Sequence, residues 1–325
     1  MIYPNKLDKN DVIEIISPSN GVKNNKILKY ELAINCLSKL GFNILEDKYT
    51  RKSVNGVSSS AENRATELNK AIINKNVKAL IACSGGDFLN QVLDLINWKK
   101  VKNNVKWIQG QSDITSLLFY ITTKYDIATI YSFNAKTFGD DNLPESMIKN
   151  NIKFLTGEMP LQIEYDCKLD TSNMCQTWEC ITNNDIIAGR IIGGCLDSLK
   201  DIIGTKYDVI KKFINKYKSD GIVWYFDVAE MTNEDIQRTM WQFKKAGWFN
   251  ECCGILFGRV ENEITYTNTS LRNAIKYNLS DLNIPILINV DIGHTNPVFT
   301  IINGSKIKIS KNEKHDKYVM ETIFK

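Results

Sequence analysis

The sequence predicts an α/β protein: an amino-terminal half built on a mainly parallel sheet, and a smaller, β-rich carboxyl-terminal half. Three observations predict it. Short β-branched runs alternate with helical segments as far as residue 131, the pattern of βαβ units. The third and fourth of these runs end in Ser84-Gly85-Gly86 and Gly110-Gln111-Ser112, at the strand ends where a parallel sheet gathers its ligands. Beyond residue 185 strand-like runs dominate. At 325 residues the chain exceeds one small core, and about 150 residues per domain suggests two. The expected division is an α/β domain over 1–160, a linker over 161–185 and a β-rich domain over 186–325.

Taken in order, residues 11–17 (DVIEIIS) form a predicted strand ending in Ser17-Pro18-Ser19-Asn20. A helix over 26–40 follows on Leu28, Leu32 and Leu37, then a short strand over 42–45. A polar stretch runs to Ser60, and 62–73 reads as a helix. The strand over 78–83 leads into Ser84-Gly85-Gly86-Asp87 and a helix over 88–96. A strand over 105–108 precedes the turn at Ser112, after which Ile114, Leu117, Leu118 and Ile121 give the stripe of an amphipathic helix. Residues 126–131 close this half as a further strand.

From 147 to 185 the periodicity weakens, as expected of a crossover between domains. Strands are then predicted over 186–192, 222–227, 254–260, 286–291, 298–302 and 306–309, the last two joined by an Asn303-Gly304 turn. A helix over 234–246 carries Ile236, Met240 and Phe243 on one face. The charged KNEKHDK reads as a solvated end.

Composition narrows the function classes. Hydrophobic content of 43% and charged content of 24% are those of a globular protein. A net charge of +4 with scattered Lys and Arg does not indicate nucleic acid. No apolar run approaches the ~18 residues of a membrane span, and the start lacks a signal-peptide pattern, so a cytoplasmic protein is expected. Eight cysteines without C-x-x-C spacing suit neither a zinc site nor a disulfide framework.

Ser112 stands at a sharp strand-to-helix bend, which lifts a side chain clear of the sheet and aims the following N–H groups at what it attacks. An ordinary helix cap reads the same way, and Ile114 occupies the last Gly position of a G-x-S-x-G elbow. A serine nucleophile needs a base, and the chain has two histidines. His315 lies in the charged tail, whereas His294 follows the apolar strand ILINVDI, which makes it the candidate. Gly85-Gly86 could supply N–H groups that join that of Asp113 around an oxyanion, or be a plain βα turn; Gly193-Gly194 carries the same ambiguity. Trp178 and Tyr131 could line a pocket or sit in the core, and Cys83 reads as a buried strand residue.

In order and spacing, SPSN, CSGGDF, GQSDIT, IYSFN, GRIIGGCLDSL, WYFDVAE, WQFKKAGWF, GILFGR and VDIGHTNP resemble the serine peptidases of the LD-carboxypeptidase and microcin-C-immunity type. The resemblance covers nearly the whole chain, with GQSDIT and DIGH its most specific pieces. It implies a dimeric cytoplasmic hydrolase with a Ser, Glu, His triad and neither metal nor organic cofactor. It also implies an amino domain like the class I glutamine amidotransferases, flavodoxin-like in its sheet, and a β-rich carboxyl domain, with the active site between them. The nucleophile then falls on Ser112, the base on His294, and the oxyanion donors on the N–H groups of Gly86 and Asp113.

Departures from the family pattern are Cys195, where many relatives have Asn, Gln111, where an aromatic is usual, and the acid. The family Glu falls at or beside Phe226, and strand alternation turns Asp227 away from the face of Phe226. The expectation is therefore that Glu230, in the following turn, supplies the acid, with Asp227 next. The implied substrate is a cell-wall tetrapeptide ending in a D-amino acid. The alternatives are a peptidyl-nucleotide antibiotic, for which Trp178 would be the stacking aromatic, or a ligand-binding relative without catalysis.

Overall fold

A computed structural model describes residues 1–166, 176–182, 185–260, 263–312 and 316–324. It divides into two units, Met1–Glu158 with Thr300–Asn303, and Met159–Phe299 with Gly304–Lys325. In chain order the strands of the described residues begin with β1 (Val12–Ile16), β2 (Asn43–Glu46), β3 (Val77–Ala82), β4 (Trp107–Gly110), β5 (Thr129–Tyr131), β6 (Gln162–Ile163) and β7 (Glu179–Cys180). They continue with β8 (Ile187–Cys195), β9 (Ile222–Asp227), β10 (Cys252–Gly258), β11 (Ile286–Val290), β12 (Ile301–Asn303), β13 (Lys306–Asn312) and β14 (Lys317–Ile323).

The first unit is an α/β fold whose sheet runs β12-β5-β4-β3-β1-β2, parallel throughout β1 to β5. β4 and β5 are buried at every position and β3 at all but one, as a sheet covered on both faces requires. Two predicted elements shift. Val105 is exposed and the strand begins at Trp107, while the helix predicted over 88–96 shrinks to one turn at Asn90–Leu93. Asn97 then caps a new helix, Trp98–Asn103, its side chain accepting from the N–H of Lys100.

The second unit is β-rich, with sheet order β6-β14-β13-β8-β9-β10-β11-β7; β8 to β11 are parallel and the outer strands antiparallel. All six residues of β9 are buried. On one of its faces Trp224 and Phe226 pack against Phe243 and Trp248, the Trp224 and Trp248 rings stacking at 5.4 Å. Phe243 lies on the helix Asn233–Lys245, which Thr232 and Asp235 start as a capping box. β8 can lie this close to β9 because Gly193 has no Cβ, which would collide with the carbonyl of Tyr225.

Three further expectations differ from the structure. The Asn303-Gly304 turn does not close a hairpin: β12 pairs antiparallel with β5, and β13 pairs with β8 and β14. Gly304 is held by β8 instead, donating to Ile191 O and accepting from the Arg190 guanidinium. Segment 161–185, expected as a linker, contributes β6 and β7 to the two edges of the second sheet. Of the KNEKHDK stretch expected as a solvated end, 313–315, and so His315, lie outside the described residues, while Lys311, Asn312 and Lys317 belong to β13 and β14, which pair along seven residues. Among the described residues no helix is long and apolar enough to cross a membrane.

Candidate active site

The first unit presents Ser112 at the carboxyl end of β4. Gln111 is extended, Ser112 takes φ 66°, and a 3-10 turn over Ser112–Ile114 leads into the helix Thr115–Tyr125. A left-handed conformation is costly for a non-glycine residue, and here it bends the chain so that a partly exposed side chain leaves the buried strand. The bend is tight because Gly110 lies against Ile114, where a Cβ would meet the isoleucine side chain at 2.6 Å. Hydrogen bonds from the end of β5 and the loop after it brace it. Ser112 N–H donates to Tyr131 Oη at 3.3 Å, and Gln111 N–H to Asn134 Oδ1 at 3.1 Å.

The loop after β3 closes on the same serine. A Cβ on Gly85 would stand 2.9 Å from Ser112 Oγ, so only glycine allows the approach. Gly86, at φ 152°, takes a backbone conformation disfavoured for other residues, and a Cβ there would meet Ser19 Oγ. The Asp113 carboxylate ties three loops together, accepting from Ser19 Oγ at 2.5 Å and from Leu89 N–H at 2.8 Å. Burial pushes its carboxyl above the ordinary range, which those two donors oppose. Beneath them the buried Arg64 donates to Pro18 O, Phe88 O and Gln91 Oε1. Arg64 and Asn134 escaped sequence reasoning; Asn134 was findable, since it too follows a parallel strand's carboxyl end.

The second unit presents His294 just past β11. Its Nδ1 lies 2.8 Å from Asp227 Oδ2 and 3.0 Å from Oδ1. The histidine ring is 30% exposed while Asp227, the last residue of β9, is fully buried. With Nδ1–H donated to the carboxylate, the imidazole lone pair sits on Nε2. Gly293, at φ 106°, allows this, since a Cβ would collide with the Asp227 carboxylate. The loop is anchored from below by Asp291, which pairs with Arg259 and accepts from Tyr165 N–H and Trp178 Nε1, each at 3.0 Å. Arg259 also donates to Pro297 O at 2.9 Å, so both ends of the loop are held. Burial pushes the Asp291 carboxyl up to about 6 against the pull of Arg259.

The carboxylate beside His294 is therefore that of Asp227, not that of Glu230, to which the sequence pointed. Phe226 faces the aromatic core, so the opposite face of β9, where Asp227 points, is the one that meets the histidine loop. The side chain of Glu230 is exposed, and its N–H is bound at 2.9 Å to Asp197, which fixes the turn after β9. Trp178 is also not an open stacking surface. It is buried, stacks on Tyr318 at 5.6 Å and spends its N–H on Asp291. Cys195 lies in register with Asp227, and burial with the nearby Asp227 and Asp197 carboxylates pushes its thiol well above the usual value. Cys83 is buried and its thiol is pushed up as well, which keeps both sulfurs neutral. Among the described residues no group of three or more His, Cys, Asp and Glu is placed to hold a metal ion.

Comparison with known proteins places the chain in a family. The family model for the LD-carboxypeptidase N-terminal domain matches residues 13–132, and that for the LD-carboxypeptidase C-terminal domain matches residues 188–309. A Vibrio cholerae protein with a provisional carboxypeptidase name is 28% identical over 92% of this chain and 92% of its own. The microcin C7 self-immunity protein MccF of Escherichia coli is 25% identical over 86% of this chain and 84% of its own. A solved structure of MccF in complex with glutamyl sulfamoyl guanosine has the same fold, with a TM-score of 0.84 and 21% identity across 100% of this chain and 99% of that one.

Proposed function

This chain belongs to the LD-carboxypeptidase family, and we propose that it is a serine hydrolase that removes the terminal D-amino acid from a cell-wall tetrapeptide. The single observation that carries the reading is the buried Asp227 carboxylate holding Nδ1 of His294, the arrangement of a general base with its orienting acid. Ser112 Oγ attacks the scissile carbonyl carbon while His294 Nε2 takes its proton. The N–H groups of Gly86 and Asp113 receive the oxyanion, worth on the order of 3 kcal/mol per donor. The tetrahedral adduct collapses, the C–N bond breaks, and His294 returns the proton to the leaving amine. Water then attacks the acyl-enzyme through the same base and frees Ser112. The reading extends to a cytoplasmic homodimer that needs neither metal nor organic cofactor.

Incubation with a tetrapeptide ending in D-Ala, followed by mass spectrometry, tests it: D-Ala is released by the native protein and not by Ser112→Ala. A fluorophosphonate probe should label Ser112 in the native protein and not in His294→Ala; an unlabelled native protein would instead indicate a ligand-binding relative. Likeness to MccF favours a second reading, hydrolysis of a peptidyl-nucleotide antibiotic, and a processed microcin analogue in the same assay separates the two. In that case the stacking aromatic would have to be other than the buried Trp178.

A further inference from the structure

The loop after β5 does more than brace the serine turn. Two residues beyond Asn134, the Lys136 ammonium donates to Ser84 Oγ at 3.2 Å. Ser84 adjoins Gly85, on which a Cβ would meet the Ser112 side chain, so the ammonium is one hydrogen bond and one residue from the nucleophile turn. Ser84 is buried and Lys136 partly so. Among the described residues no carboxylate forms an ion pair with Lys136. The cations around it are Lys23, Lys26 and Lys29, of which, among the described residues, Lys29 alone forms an ion pair, with Asp140 at 2.5 Å. Burial is the largest cause that holds the Lys136 ammonium below its ordinary lysine range; Cys83 opposes it only where its thiol is ionised, and the three like charges add to it. A cation so placed gains from an arriving anion.

Chemistry says which anion. A carboxypeptidase must recognise a free carboxylate one residue beyond the carbonyl its nucleophile attacks, and Ser84, accepting from Lys136, keeps its own O–H to donate. We infer that Lys136 and Ser84 bind the free α-carboxylate of the residue to be released, and so decide that the enzyme removes a terminal residue. This rests on the carboxypeptidase reading above.

The test measures binding without turnover, by calorimetry on Ser112→Ala with a tetrapeptide ending in D-Ala and with its C-terminal amide. The free acid should bind at least about tenfold more tightly. Lys136→Met in the same background should erase that preference, and Lys136→Arg should keep part of it. A preference that survives Lys136→Met overturns the anchor and leaves the carboxypeptidase reading standing, whereas equal binding of acid and amide by Ser112→Ala overturns both. Binding of neither peptide overturns the substrate reading, and the anchor with it.

Discussion

The Asp227 carboxylate, with no exposed surface at the end of β9, meets Nδ1 of His294 at 2.8 Å from one oxygen and 3.0 Å from the other. A buried carboxylate in this position holds one tautomer and stabilises the imidazolium that forms as the base takes a proton. Asp227→Asn should therefore lower D-Ala release on the order of 10⁴-fold. Glu230→Gln, which alters only an exposed side chain, should stay within about twofold of the native rate. Turnover of the two purified variants side by side decides; the reverse ranking would return the acid to Glu230.

Gly293→Ala should damage the same pair without touching either partner. The new methyl group meets the Asp227 carboxylate, and φ 106° is strained for alanine, each effect costing roughly 1–3 kcal/mol. A lower melting temperature together with lost turnover is expected. Native turnover in this variant would mean that the histidine loop has another geometry in solution.

At Ser112 the backbone strain and the reactive group can be separated. Both Ser112→Ala and Ser112→Gly remove the hydroxyl, but only glycine relieves φ 66°, by roughly 1–2 kcal/mol. The glycine variant should melt above the alanine variant while both are inactive. Equal midpoints in a calorimetric scan would show that the elbow is not strained.

The Lys136 anchor carries a pH signature. Burial and the three neighbouring lysines favour its neutral form, so it loses its charge below the ordinary lysine value of 10.5. For stability the sign runs against the charged form: a depressed lysine weakens the fold while protonated, and that penalty falls as pH rises from the depressed value and is gone at the ordinary one. For binding the sign is opposite, because the carboxylate needs the ammonium. The preference of Ser112→Ala for the free-acid peptide over the amide should therefore decline with rising pH before 10.5 is reached. A preference flat to that pH would argue against Lys136.

Much of this was legible in the residues taken in order. The β-branched runs and their spacing determined a parallel sheet in the first unit, because strands buried on both faces must be apolar throughout and must be joined by helices. Ser112, Gly86 and His294 stand out as candidates in the sequence because strand ends, glycines and a scarce imidazole are local signals. Pairing was not local. The Asn303-Gly304 sequence has the form of a hairpin turn, yet β12 joins β5 of the first unit, a choice made by partners distant in sequence. The carboxylate partner of His294 was decided the same way. Alternation alone correctly separates Phe226 from Asp227, but which face of β9 meets the histidine depends on the helix Asn233–Lys245 covering the Phe226 side and the loop after β11 crossing the other. Lys136 shows the limit from the other direction: it is one lysine among many in the sequence, and only the fold removes its water, surrounds it with like charge and sets it beside Ser84.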